Sequence, residues 1–264
     1  MKNSSRKKIR VALLQFASVD GAVAANERTL FRLLRKLKAP VDLIVLPEMW
    51  PSGFRVIEGS VLLRETRRVL ARLQEYARER KATLIGSHLE KGRGGYYNTA
   101  TVIDARGRLA ARYHKVHLFQ LGGENKTFLP GRKIAVAKLP WAKVGLSICY
   151  DIRFPELIRK QVLSGAEILA IPSAWPRERI DHYLSLLKAR AIENLCFVVS
   201  ANKVGKNAAG IVYGGHSVAY DPWGRKLGEL KKKEGILKVT LDLNSLIKIR
   251  ASFPVFEARR EDVY

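Results

Sequence analysis

The 264 residues are 47% hydrophobic, enough to build a real core in one large domain or two small ones. With 48 Lys and Arg against 24 Asp and Glu, the formal charge of +24 at pH 7 asks for an acidic partner: nucleic acid, a membrane surface or an acidic metabolite. No apolar stretch reaches the length of a membrane span, and the two cysteines, Cys149 and Cys196, make neither a disulfide framework nor a metal-ligand spacing.

The opening "MKNSSRKKIR" is basic, and residues 1–8 read as a flexible tail. The "VALLQF" that follows is short and lacks a small-residue cleavage site, which argues against a secretory signal. "IRVALLQF" (9–16) is apolar enough for a buried strand, and Leu30, Leu33, Leu34 and Leu37 then recur at helical spacing over 24–38, closed by Pro40. "VDLIVLPE" (41–48) is a second buried strand. An amphipathic helix over 60–80 sets Leu62, Leu63, Val69, Leu70 and Leu73 on one face and arginines on the other. "ATLIGSHLE" (82–90) is a third strand, and "YYNTATVID" (96–104) with "RLAARYHKVH" (108–117) forms a hairpin.

A glycine-rich loop over 122–132 precedes the strands "KIAVAKLP" and "AKVGLSICY". Pro155 starts a helix that Gly165 stops; "EILAIPSA" is a strand and "YLSLLKARAIEN" (183–194) a helix. "CFVVSANKVG", "HSVAYDP" and "GILKVTLDL" complete the strands, and a short helix near 243–250 leads into a charged tail. No linker or repeat divides the chain, so residues 1–264 read as a single α/β domain. The alternation fits one doubly wound sheet or two packed sheets between helical layers equally well.

The positive charge is spread over the N-terminal tail, residues 64–81, "KKK" at 231–233 and "EARRED" near the end. No phosphate-binding glycine loop, zinc spacing or aromatic RNA-binding signature accompanies it. A solvated surface biased toward acidic metabolites is therefore preferred over a dedicated nucleic-acid site, and neither nucleic acid nor membrane is expected as a specific partner. A cytoplasmic setting suits the free thiols. High charge with few Cys and Met also suits a heat-loving host.

Three reactive side chains arrive at strand ends: Glu48 closes "LIVLPE", Lys115 lies late in "LAARYHKVH" and Cys149 ends "VGLSIC". Ligands bind at the carboxyl ends of strands in α/β proteins. Each residue has a plain alternative: a core cysteine, a turn-capping glutamate, a surface lysine. Together they supply what amide cleavage needs. A thiol must lose its proton to attack, the oxyanion needs preorganised donors, and a base must serve the leaving amine and then water. No metal or cofactor is required.

The segments "LPEMWPSGF", "YHKVHLFQ", "GENKTFLPG" and "SICYDIRFPEL" resemble the ordered Glu, Lys and Cys motifs of the nitrilase superfamily of carbon–nitrogen hydrolases. The likeness runs from "VALLQF" to "SFPVFEARR", through "IPSAWP" and "LLKARAIENLCFVVSANKVG", and is greatest to the ω-amidase group. It implies an α-β-β-α sandwich of two packed sheets flanked by helices, in a homodimer or higher even-numbered oligomer. It also implies that Glu48 is the general base, Lys115 stabilises the tetrahedral intermediate, Cys149 is the nucleophile and Glu124 orients the lysine. The Tyr150 backbone N–H would serve the oxyanion.

For the substrate, Arg153 is the first candidate carboxylate clamp, since a guanidinium fork matches carboxylate geometry; its alternative is a loop brace pairing with Asp151 or Glu156. Arg177 is a second candidate, Trp175 a pocket wall, and the backbone at Ala174 a seat for the amide. His114, His117, His182 and His216 make no metal spacing, Cys196 reads as core, and Asp151 as a brace for the cysteine loop. The expected activity is release of ammonia from a small carboxylate-bearing amide such as 2-oxoglutaramate. The alternative within the superfamily is hydrolysis of an N-carbamoyl amine or amino acid. The alternative outside it is a basic nucleic-acid or polyphosphate binder with a fossil site, against which the intact Glu–Lys–Glu–Cys set speaks.

Overall fold

The computed structural model describes residues 8–54, 56 and 59–263. Residues 1–7 of the basic tail lie outside these; Lys8, counted with the tail from sequence, opens the first strand instead.

Two βαβαβ units form the centre. In the first, β1 (Lys8–Gln15), α1 (Val23–Arg35), β2 (Leu43–Val45), α2 (Gly59–Arg80) and β3 (Thr83–Gly92) place three parallel strands side by side. β4 (Gly95–Ile103) and β5 (Leu109–His114) then add two antiparallel strands. The second unit runs through β6 (Val136–Lys138), β7 (Lys143–Leu146), α3 (Pro155–Leu163), β8 (Ile168–Ser173), α4 (Ile180–Glu193) and β9 (Phe197–Asn202), with β7, β8 and β9 parallel. β10 (Val204–Lys206) and β11 (Val212–Gly214) make a small separate ribbon. β12 (Val218–Tyr220), β13 (Lys226–Glu229), β14 (Gly235–Asp242) and α5 (Leu243–Ser252) finish the chain.

The result is two six-stranded mixed sheets, ordered β14-β1-β2-β3-β4-β5 and β13-β12-β9-β8-β7-β6. Alternation along the central strands explains the layering. Val11, Leu13, Leu43 and Val45 share one buried cluster with Val144, Leu146, Ile168 and Val198 of the other sheet. The intervening Ala12, Leu14, Ile44 and Leu46 pack instead on Leu30, Leu33 and Leu34 of α1 and Leu62, Val69 and Leu73 of α2. Helices therefore cover the outer faces while the sheets bury their inner ones: an α-β-β-α sandwich, which resolves the choice between one sheet and two.

Several strands end earlier than their apolar runs. β2 stops at Val45 although the run continues to Glu48, because Pro47 has no N–H to donate and the chain turns there. β7 stops at Leu146, and Cys149–Arg153 form a 3₁₀ turn. "CFVVSANKVG" splits into β9 and β10. β11 and β13 are short, glycine-containing strands that no apolar alternation announces. Among the described residues, no helix is long and apolar enough to cross a membrane.

Candidate active site

The segments that leave β2, β5, β7 and β8 converge on a cavity of about 480 Å³. Glu48, Lys115, Glu124, Cys149, Tyr150, Arg153, Ala174 and Trp175 all line it. Arg177 does not: it is exposed, in a 3₁₀ turn, and Arg179 two residues on lines the cavity in its place.

Each reactive group is held by its own turn. Glu48 donates its N–H to Ser173 O at 3.2 Å, and Met49 donates to Ser87 Oγ at 2.8 Å. Met49 has a φ of 46°, so the chain reverses immediately after Glu48 through a left-handed residue. Gly53 completes the reversal with a φ of 65°; a Cβ there would lie 1.9 Å from Asp20 Oδ1, so only glycine fits. Lys115 follows β5 directly, its N–H on Asn98 O and its carbonyl on the Gly131 N–H. Glu124 sits in a loop closed on Phe119, whose N–H donates to Glu124 Oε2 at 3.0 Å.

Cys149 also has a left-handed backbone, φ 44°, an uncommon conformation for a non-glycine residue. Asp151 stabilises it. Its fully buried carboxylate accepts from the Ile148 N–H, Tyr113 hydroxyl and His117 N–H at 2.8–3.0 Å, and lies 2.9 Å from His117 Nδ1. The brace predicted for this residue is what the geometry contains.

The Lys115 ammonium lies between two carboxylates, donating to Glu48 Oε1 at 2.7 Å and Glu124 Oε1 at 2.8 Å, and Asn98 Nδ2 also donates to Glu48 Oε1. Burial by itself would lower the lysine's pKa; attraction first to Glu124 and then to Glu48 more than offsets it, and the net shift is upward. Glu124 is raised as well, by burial first and by repulsion from Glu48, against the pull of Lys115. The two upward shifts have one origin: two carboxylates share a single cation, which secures the cation and disfavours the second anion. At Cys149, burial above all and then the Glu48 charge push the thiol well above its usual range, while Lys115 and the Ala174 N–H pull it down. The sulfur therefore rests as a thiol beside a carboxylate able to take its proton.

Toward the mouth, the Arg153 guanidinium lies 4.9 Å from the Trp175 ring and 5.8 Å from that of Tyr150, with His182 Nδ1 at 3.3 Å. It pairs with neither Asp151 nor Glu156 among the described ion pairs. Trp175 is buried and anchored, its indole N–H donating to Arg179 O at 2.7 Å. The Arg179 guanidinium lies over Phe119 at 5.6 Å. The remaining histidines belong to other contacts: His88 meets Thr101, His114 meets Glu90, and His216 meets Glu229. Cys196 is core, its thiol raised to about 12 by burial. Among the described residues, no three His, Cys, Asp or Glu side chains gather as a metal site.

Sequence reasoning missed Asp20, Phe54, Arg179, Asn207 and Tyr213, which also line the cavity. Asp20, Phe54 and Asn207 lie in loops without periodicity, and Tyr213 in a strand too short to announce itself. For Arg179 the sequence carried no signal separating it from Arg177; the 3₁₀ turn seen in the structure points the two in different directions.

A family profile described as carbon-nitrogen hydrolase matches residues 10–251. The chain is 37% identical to a 2-oxoglutaramate amidase of Bacillus subtilis (strain 168), covering 96% of this chain and 98% of that one. It is 35% identical to the Omega-amidase NIT2 of Mus musculus, over 97% and 96% of the two chains. The crystal structure of the C. elegans NitFhit protein superposes with a TM-score of 0.91 at 30% identity, covering 98% of this chain and 67% of that one.

Proposed function

Because the chain belongs to the carbon–nitrogen hydrolase family and is a hydrolase of non-peptide C–N bonds, we propose that it releases ammonia from a small carboxylate-bearing amide, of which 2-oxoglutaramate is the first candidate. The observation that carries this reading is the convergence of Glu48, Lys115, Glu124 and Cys149 on one cavity that two further guanidiniums, Arg153 and Arg179, also line. A guanidinium fork fits a carboxylate, so these two cations suit the acidic end of the substrate while Trp175 walls its chain.

In the mechanism, Glu48 accepts the thiol proton as the Cys149 sulfur attacks the amide carbon. The oxyanion rests on Lys115 and the Tyr150 N–H. Glu48 returns the proton to nitrogen, the C–N bond breaks, and ammonia leaves a thioester on Cys149. Glu48 then deprotonates water, which attacks the thioester; the C–S bond breaks and the proton returns to sulfur. Glu124 holds Lys115 throughout.

Ammonia assays on 2-oxoglutaramate, succinamate and carbamoyl compounds test the assignment side by side. Cys149→Ala should bind substrate without turnover, and Glu48→Gln should also be inactive; ammonia release by either variant overturns the mechanism. The second reading, an N-carbamoyl amine substrate, has Asp20 in its favour, since a carboxylate at the cavity suits a cationic tail. A clear preference for such an amine would replace the ω-amide.

The free Cys149 and Cys196 suit a reducing cytoplasm. A homodimer or larger even-numbered oligomer is supported by an exposed apolar face where the Trp223 and Phe253 rings lie tilted against each other, centroids 5.8 Å apart, beside Ile192. Sedimentation as a monomer would remove that support.

A further inference from the structure

A second lysine is buried as deeply as Lys115, and the mechanism does not use it. Lys203 follows β9 and is 1% exposed. Its ammonium sits 5.3 Å from the Phe54 ring centroid and 5.6 Å from that of Tyr213, and both rings line the substrate cavity. Lys203 itself is not among the lining residues, so it stands behind the wall rather than in it. Its hydrogen-bond contact is the Met49 carbonyl at 3.5 Å, the carbonyl that also accepts from the Gly53 N–H at 2.8 Å.

That carbonyl belongs to the left-handed residue directly after the catalytic base, in the turn where Gly53 N–H, Lys203 and the Ser87 hydroxyl meet Met49. Among the described residues, its three donors meet one long hydrogen bond and two ring faces, a costly way to bury an ammonium. A packing role would be filled at lower cost by Met or Leu. What the charge adds is a tie on the strained turn and a positive field on the groups around it.

We propose that Lys203 is a positioning residue for the catalytic base: charged, it fixes the Glu48–Met49 turn so that Glu48 faces the Cys149 thiol. The groups facing its ammonium are Glu48 from the turn after β2, Asp20 from the loop after β1, Cys149 from the turn after β7 and the Tyr213 phenol from β11. Burial first lowers its pKa, Glu48 and then Asp20 partly restore it, and the net is a fall from 10.5 to about 8. The tie is therefore made at neutral pH and lost as the pH rises through 8.

The test compares wild type, Lys203→Met and Lys203→Arg, with circular dichroism and melting curves to establish folding. Lys203→Met should lose roughly 10-fold to 100-fold in kcat with KM changed less than about 3-fold, the scale of a displaced catalytic group. The wild-type kcat profile should fall above pH about 8. Lys203→Arg, charged at every working pH, should recover part of the loss and carry its activity to higher pH. Full kcat in Lys203→Met, or the same alkaline limb in Lys203→Arg as in wild type, overturns the proposal; if Lys203→Met does not fold, the Lys203→Arg limb decides alone. The inference rests on Glu48 being the base. Turnover retained in Glu48→Gln would defeat that premise, whereas an inactive Glu48→Gln beside an unimpaired Lys203→Met would defeat only the role of Lys203.

Discussion

Lys115 and Lys203 are both 1% exposed, and their environments push them in opposite directions. Lys115 has two carboxylates at 2.7 and 2.8 Å, and its proton is held more tightly than in water. Lys203 has a carbonyl at 3.5 Å and two aromatic faces, and its proton is held less tightly. Burial is the same for both, so the partners decide. A buried cation saturated by anions is a permanent electrostatic fixture, suited to meeting an oxyanion. A buried cation left short of acceptors is a titratable one.

The largest effect that sharpens the contrast is Lys115→Met. It strands Glu48 and Glu124 in a buried site without their shared cation. We expect turnover to fall by more than about 10³-fold, since the oxyanion donor and the orientation of the base go together. Stability at pH 7 should fall by roughly 3–5 kcal/mol, the cost of breaking a buried pair from one side. Urea unfolding reads the second effect, and lowering the pH should return part of it as the stranded carboxyls take up protons. A variant as stable as wild type would mean that Lys115 is not saturated in solution.

Lys203→Met should do the reverse to stability. A fall in pKa from 10.5 to about 8 corresponds to roughly 3 kcal/mol carried by the folded state when the ammonium is charged. Below pH 8 both folded and unfolded lysines are protonated and this cost is fully present. Between 8 and 10.5 the unfolded chain binds the proton that the folded one has released, so this lysine's contribution to stability rises with pH. In urea unfolding, the Met variant should be up to about 3 kcal/mol more stable than wild type at pH 7, and the gap should close toward pH 10.5. A gap of the opposite sign would make Lys203 a structural residue and end the contrast.

The two lysines also differ in how far the sequence betrays them. Lys115 sits in "YHKVHLFQ", between a strand and a loop, and its place beside Glu48 and Cys149 follows from the order of motifs and the strand-end rule. Lys203 sits in "SANKVG", where a polar residue after an apolar strand looks like a surface exit. Its burial depends on β10, β11 and the segment around Phe54 folding over it, contacts between residues about 150 positions apart. The layer architecture was legible for a related reason. Runs such as "VALLQF" and "EILAIPSA" carry their burial in their own composition, whereas β11 and the largely exposed β13 are strands by virtue of the partners that they pair with. The early endings of β2 and β7 are the reactive turns themselves, where local propensity yields to positioning of Glu48 and Cys149.

The same distinction between a placed cation and a merely nearby one applies at the cavity mouth, with smaller effects. Arg179 lines the cavity and stacks over Phe119, while Arg177 points into solvent. A guanidinium–carboxylate contact contributes roughly 1.5–3 kcal/mol when water is excluded, and an exposed charge little at ordinary ionic strength. Arg179→Ala should therefore raise KM for 2-oxoglutaramate or succinamate about 10-fold and leave an uncharged amide such as propionamide unaffected. Arg177→Ala should stay within about 2-fold for both substrates. Equal effects of the two variants would mean that the positive mouth acts as a diffuse field, as the net charge of +24 alone would suggest, rather than through a guanidinium set in the wall.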